Sequence, residues 1–99
     1  MHEDVHFEWD EKKDIYNQKA HGMSFDLART AFDDPYMIIV RDKKHSIIEE
    51  RYYCVGKVLG EILMVRFTVR GSKVRIFGAG YWRQGRKIYE KANKIYKHA

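Results

Sequence analysis

The chain has 99 residues, one cysteine and a net charge of +5. That length leaves room for one hydrophobic core, and a single cysteine excludes an internal disulfide and a cysteine-based zinc site. No run approaches the roughly 18–20 apolar residues of a membrane span, and Met1–Asp10 has neither a basic nor an apolar signal region, so a cytoplasmic protein without a signal peptide is expected.

Val5 to Trp9 alternates apolar and polar residues, a short strand. Asp10 is placed to cap a helix running to about Ala20, with Glu11 and Asp14 early in it and Gly22 as its stop. Ser24 is placed to cap a second helix, Phe25 to Phe32, which Asp33-Asp34-Pro35 breaks. Tyr36 to Val40 is a strand, Asp42 to Ile48 a polar connection, and Arg51 to Val58 another strand that turns at Leu59-Gly60. Glu61 to Arg70 alternates most strongly of all. Gly71-Ser72 reads as a two-residue hairpin turn with glycine first, and Lys73 to Gly78 returns. A helical pattern runs from about Arg83 to Lys97, with Ile88, Ala92 and Ile95 on one side and Lys87, Lys91 and Lys94 beside it. This order, β-α-α-β, an antiparallel meander and a helix, is an α+β layout.

Charge divides along the same chain. Residues 1–50 carry 7 Lys and Arg against 12 Asp and Glu, a balance of −5; residues 51–99 carry 12 against 2, a balance of +10. A split of that size points to a polyanionic partner for one surface. The Gly71-Ser72 turn sets Arg70 opposite Lys73, Thr68 opposite Arg75 and Arg66 opposite Phe77. Val65, Phe67, Val69, Val74 and Ile76 then face the core, and Arg66, Thr68, Arg70, Lys73 and Arg75 the other side. If Leu59-Gly60 is also a two-residue turn, Tyr53 faces Arg66 and Arg51 faces Thr68; other turn lengths there leave other registers open. In that register Arg51, Tyr53, Arg66, Arg70 and Arg75 form one cluster. Like charges across a sheet repel, and the guanidinium fork suits phosphate. The plainer alternative is a solvated sheet face, against which stands the scarcity of acids in this segment.

Other features are less pointed. His21 sits at a helix end, where it serves equally as a cap or in a site. His2, His6, His45 and His98 are scattered, and no spacing of His, Asp and Glu suggests a metal site. Gly78-Ala79-Gly80 lacks the Lys-Ser/Thr of a nucleotide loop. Tyr81-Trp82-Arg83 suits base stacking, with Trp82 reading better as a core plug.

Taken together, Phe7-Glu8-Trp9-Asp10, Lys13, Asn17, His21-Gly22-Met23-Ser24-Phe25, Ala28, Phe32, Asp34-Pro35, Asp42, His45-Ser46, Glu49-Glu50-Arg51, Val55-Gly56, Thr68-x-Arg70 and Val74-Arg75-Ile76 follow an order and spacing that resembles the BrnT family of type II toxin–antitoxin ribonucleases. The resemblance covers about residues 7–90. It implies a RelE-like fold, one BrnT-like toxin domain over residues 1–99, and a metal-independent endoribonuclease with no cofactor. It further implies an antitoxin of the BrnA kind, whose ribbon-helix-helix part would bring the pair to DNA. Arg51, Arg70 and Arg75 are then the expected phosphate clamps, and His21 or Lys19 the base. Lys19, Tyr53, Arg66, Tyr81 and Arg83 are the expected RNA contacts, with Tyr53 or Tyr81 as a proton-carrying or stacking group. The chain departs from the pattern in two places. Ala20 stands where the family often has Lys, and Phe77-Gly78-Ala79-Gly80 stands for Ile-Ser-Ala-Arg. The missing Ser and Arg leave Arg83 or Arg86 to supply that charge, or a weaker or inactive enzyme. Two other functions stay open: a non-catalytic module of a DNA-bound repressor complex, and a general nucleic-acid binder.

Overall fold

The computed structural model describes residues 5–94. Its elements are β1 (His6–Trp9), α1 (Glu11–His21), α2 (Phe25–Ala28) running into a 3₁₀ turn (Arg29–Asp33), β2 (Ile38–Arg41), a second 3₁₀ turn (Lys43–His45), β3 (Tyr52–Val58), β4 (Glu61–Arg70), β5 (Lys73–Tyr81) and α3 (Gly85–Ala92). The order is the α+β order expected. The Asp10 side chain accepts from the Lys12 N–H at 2.8 Å and Ser24 from the Leu27 N–H at 3.1 Å, so both expected caps form. Among the described residues no helix is long and apolar enough to cross a membrane.

The sheet order is β1-β5-β4-β3-β2. Three pairings are antiparallel, but β1 runs parallel to β5, with Glu8 beside Arg75. Nothing in the chain's local pattern announces that parallel pair, since its strands lie at opposite ends of the sequence. Both expected turns form: Arg70 pairs with Lys73 and Val58 with Glu61. Leu59 and Gly60 both have positive φ, and so does Gly71, as two-residue hairpin turns require.

The register departs from expectation at one point. A bulge between Arg66 and Phe67 sets Arg66 opposite Gly78, not Phe77. Strict alternation would have sent Ala79 outward. The extra residue sends Ala79 into the core instead and carries β5 on to Tyr81, three residues beyond the expected end.

One sheet face packs against α2 and the first 3₁₀ turn. Met23, Phe25, Ala28, Ala31 and Phe32 meet Cys54, Leu63, Val65, Phe67 and Ile76 there. The Phe32 ring lies 5.2 Å from Phe7 and 5.1 Å from Phe67, centroid to centroid. A Cβ at Gly56 would stand 2.5 Å from the Ala31 carbonyl oxygen, so only glycine admits this close approach. Burial pushes the Cys54 thiol up to about 12, which keeps it protonated and inert.

The second face is only partly open, contrary to expectation. α3 covers one end, with Tyr89 against Val55 and Ile62. Its buried positions are Gly85 and Tyr89, whereas Ile88 and Ala92, the apolar residues that share one side, are exposed. Ile95 and Lys97, which the expected helix includes, lie outside the described residues, as do His2 and His98. Two further positions differ. Val69, expected to face the core, is 53% exposed, and Thr68, expected on the other side, is buried. The Thr68 hydroxyl donates to the Glu50 carbonyl at 2.6 Å.

Candidate RNA-binding cleft

β1 stops pairing at Trp9 beside Ile76, while β5 continues to Tyr81. The exposed edge that results is closed by α1. Asn17 is the one buried residue of that helix. Its side-chain amide donates to the Ala79 carbonyl at 2.9 Å and accepts from the Ala79 N–H at 3.1 Å, replacing a strand partner. A further bond to the Met23 carbonyl at 2.8 Å ties down the chain after α1. Residues four apart share a helix face, so Lys13, Asn17 and His21 line one stripe along β5. The Lys13 ammonium lies 5.4 Å from the Phe77 ring centroid, and His21 lies against Gly80. Lys19 is two residues from Asn17, about 200° round the helix, and so points away from this stripe.

The bulge aims Phe77 and Gly78 at the uncovered part of the second face. The Arg51 guanidinium lies 4.3 Å from the Phe77 centroid, a cation–π contact that holds it toward the cleft. Two neighbouring cavities open here. One, of about 180 Å³, is lined by Asn17, His21, Met64, Arg66, Gly78 and Tyr81 among others. The other, of about 110 Å³, is lined by Asp42, His45, Arg51, Arg66, Phe77 and Gly78, with Tyr52 at its wall. Arg66 and Gly78 belong to both. A Cβ at Gly78 or Gly80 would meet nothing nearer than 3.8 Å. Side chains would therefore fit at both positions, and glycine there leaves the cleft open.

The arginines are more heavily neutralised than the sequence suggests. Arg75 pairs with Glu8 at 3.3 Å, and Lys73 approaches the same carboxylate at 3.9 Å. Glu49 lies 3.3 Å from Arg70 and 3.7 Å from Arg51. The basic segment 51–99 holds few acids, but the fold brings Glu8 and Glu49 to it from the acidic half. Arg66 has no ion pair with any described acidic residue. These pairs are half-buried to exposed and open to solvent, where ion pairs are each worth about 0–1 kcal/mol, so a phosphate can displace or share them.

The other expected contacts divide. Tyr53 pairs with Arg66 across the sheet and packs edge-on against Trp82, centroids 5.8 Å apart. Trp82 is thus a packing residue, as its better reading held. Tyr81 is half-exposed at the rim of the His21 cavity. Arg83 and Arg86 line a separate cavity beyond Tyr81 with Glu61 and Trp82. Neither stands in the space left at Gly78 and Gly80.

Sequence reasoning passed over one pair. The His45 Nδ1 lies 2.8 Å from the Asp42 carboxylate. Desolvation works against the Asp42 charge, but the His45 hydrogen bond and charge, with Arg66, hold its carboxyl below the ordinary value. The signal was the three-residue spacing, obscured because 42–48 read as a plain polar connection. Among the described residues no three His, Cys, Asp or Glu side chains group to hold a metal ion.

Residues 9–85, more than three quarters of the chain, match a family model described as the ribonuclease toxin BrnT of type II toxin–antitoxin systems. No curated protein matches the chain.

Proposed function

The chain belongs to the BrnT family of type II toxin–antitoxin ribonuclease toxins, and from that premise we propose that it is a metal-independent endoribonuclease acting on RNA in the cytoplasm. In this reading residues 1–99 are one toxin domain of RelE-like design. An antitoxin of the BrnA kind, with a ribbon-helix-helix part, neutralises it and links the pair to DNA. RNA carries its own nucleophile, the 2′-hydroxyl. The protein's task is to orient the strand, neutralise the phosphate as charge builds and exchange protons. Arg51, Arg70 and Arg75 hold neighbouring phosphates, and Arg66 faces the reacting one. His21 exchanges a proton, and Tyr53 and Tyr81 offer a hydroxyl and a stacking ring. Lys19 and Arg83 are at most outer contacts.

The observation that carries this reading is Arg66: a guanidinium that makes no ion pair with a described acid, feels only the nearby charge of Asp42, and stands at the junction of two cavities that each hold an imidazole. The test is inducible expression of the chain alone. Growth arrest with RNA decay, lost on Arg70→Ala or Arg75→Ala, is the expected result. Full toxicity in both variants refutes these clamps.

One observation favours a second reading, a non-catalytic module in a DNA-bound toxin–antitoxin complex. Gly78 and Gly80 leave bare backbone where the resemblance leads one to expect Ser and Arg. A chain that binds its antitoxin tightly yet neither arrests growth nor cuts RNA would establish it.

A further inference from the structure

We propose that His45, oriented by Asp42, is a catalytic proton-transfer group that works opposite His21 across Arg66. This rests on the RNA-cleavage reading and gives a role to the second imidazole of the cleft, to which that reading assigns none. The two cavities of the cleft share Arg66 and Gly78; one is walled by His21 and the other by His45. A phosphate held on Arg66 therefore has an imidazole on either side.

The dyad is built for orientation. The Asp42 carboxylate accepts a hydrogen bond from the His45 Nδ1–H at 2.8 Å, which fixes the tautomer and leaves Nε2 as the acceptor. The turn that carries both residues is tied to the start of β3. The Asp42 N–H donates to the Arg51 carbonyl at 2.8 Å. The Ser46 hydroxyl donates to the Asp42 carbonyl at 2.7 Å and accepts from the Arg51 N–H at 2.9 Å. Arg51 in turn rests on Phe77. Imidazole, carboxylate and phosphate-binding guanidinium are thus mutually fixed. The charged and titratable groups around His45 are Asp42 and Lys44 of its own turn, Glu49, Arg51 and Tyr52 of the next segment, and Arg66 of β4. With the His45 ring half in solvent the pair adds little stability, so fixing the ring is its main physical effect.

In the cleavage step the 2′-hydroxyl proton passes to His45 Nε2 and the 2′-oxygen bonds to phosphorus. The bond from phosphorus to the 5′-oxygen breaks, and that oxygen takes a proton from protonated His21. The products are a 2′,3′-cyclic phosphate and a 5′-hydroxyl. One proton has moved from His21 to His45, and no co-reactant is consumed. Asp42 is a positioning residue that stabilises the imidazolium formed.

The experiment uses the full chain and a short single-stranded RNA under single-turnover conditions, from acid to alkaline pH. The wild type should give a bell-shaped profile. His45→Gln should lower the rate about 10²–10⁴-fold, lose the acidic limb and bind the 2′-O-methyl form of the same strand as the wild type does. Asp42→Asn should fall between the two. His45→Ala should regain rate with added imidazole, which a merely structural role would not permit. A His45→Gln rate and profile equal to the wild type's overturns this inference and leaves the RNA-cleavage reading standing. Loss of rate with loss of strand binding and no imidazole rescue also overturns it. A wild type that cuts no RNA overturns both.

Discussion

Asn17→Ala should be the most damaging single substitution on α1. The wild-type amide makes three buried bonds, at 2.8, 2.9 and 3.1 Å. Truncation strands the Met23 carbonyl and both polar groups of Ala79. A lost bond is worth about 1 kcal/mol, and a stranded buried group up to about 3 kcal/mol. Water entering the vacated space relieves part of this, so a loss of about 3–4 kcal/mol is expected. For a domain of this size that lowers Tm by about 15–25 °C. Asn17→Asp adds a sign test. The new carboxyl accepts from the Ala79 N–H but sets a charge against two carbonyl oxygens, so its folded pKa is raised. Protonation then restores a donor, and the deficit should narrow as pH falls toward about 4. Urea denaturation across pH reads both effects, and RNA cleavage should fall with them because α1 carries His21. A loss under about 1 kcal/mol for Asn17→Ala, with no pH dependence for Asn17→Asp, would refute the account of the sheet edge.

Two further predictions concern charge. Glu49→Gln should release Arg51 and Arg70, raise affinity for single-stranded RNA about 3–10-fold at low salt and steepen the salt dependence by about 0.7 in log–log slope; fluorescence anisotropy that shows weaker binding or an unchanged slope contradicts this. Tyr89→Phe should cost about 1–2 kcal/mol, because the Tyr89 hydroxyl donates to Asp34 at 2.6 Å. Desolvation opposes the Asp34 charge, but Tyr89, the Tyr36 and Lys57 N–H groups and the Lys57 charge hold its carboxyl below the ordinary value. Its stabilising contribution is therefore present above about pH 4 and lost as pH falls through the depressed value. Desolvation, then Asp34, push the Tyr89 hydroxyl up, so its share is full below about pH 10 and fades above it. The Tyr89→Phe variant should lose less stability than the wild type at both extremes, as thermal melts across pH would record.

Local signals in the chain were read well. Asp10 and Ser24 cap as their positions require, and Gly71-Ser72 fixes two of the three cross-strand pairs drawn from it, Arg70 with Lys73 and Thr68 with Arg75. The bulge at Phe77 was invisible, because an extra residue in a strand changes no residue type. It decides the site all the same, by placing Gly78 opposite Arg66. The net charge of the C-terminal half misled for a similar reason. Charge was counted along the chain, while Glu8 reaches Arg75 through a parallel pairing that joins its two ends. Asn17 and His21 were noted individually, but their shared face became meaningful only once α1 was seen to run along the edge of β5. Tyr89 was missed as the buried face of α3 because its partner, Asp34, lies 55 residues away.

The central claim is that Arg66 holds the scissile phosphate between two imidazoles. Its most direct test is cleavage of a single-stranded RNA by the purified chain without added metal, with the new ends identified by mass. The account predicts 2′,3′-cyclic phosphate and 5′-hydroxyl ends from the wild type, and a rate lowered at least about 10²-fold in a folded Arg66→Ala variant. Cleavage at the wild-type rate by that variant, or 3′-hydroxyl and 5′-phosphate ends, would contradict it.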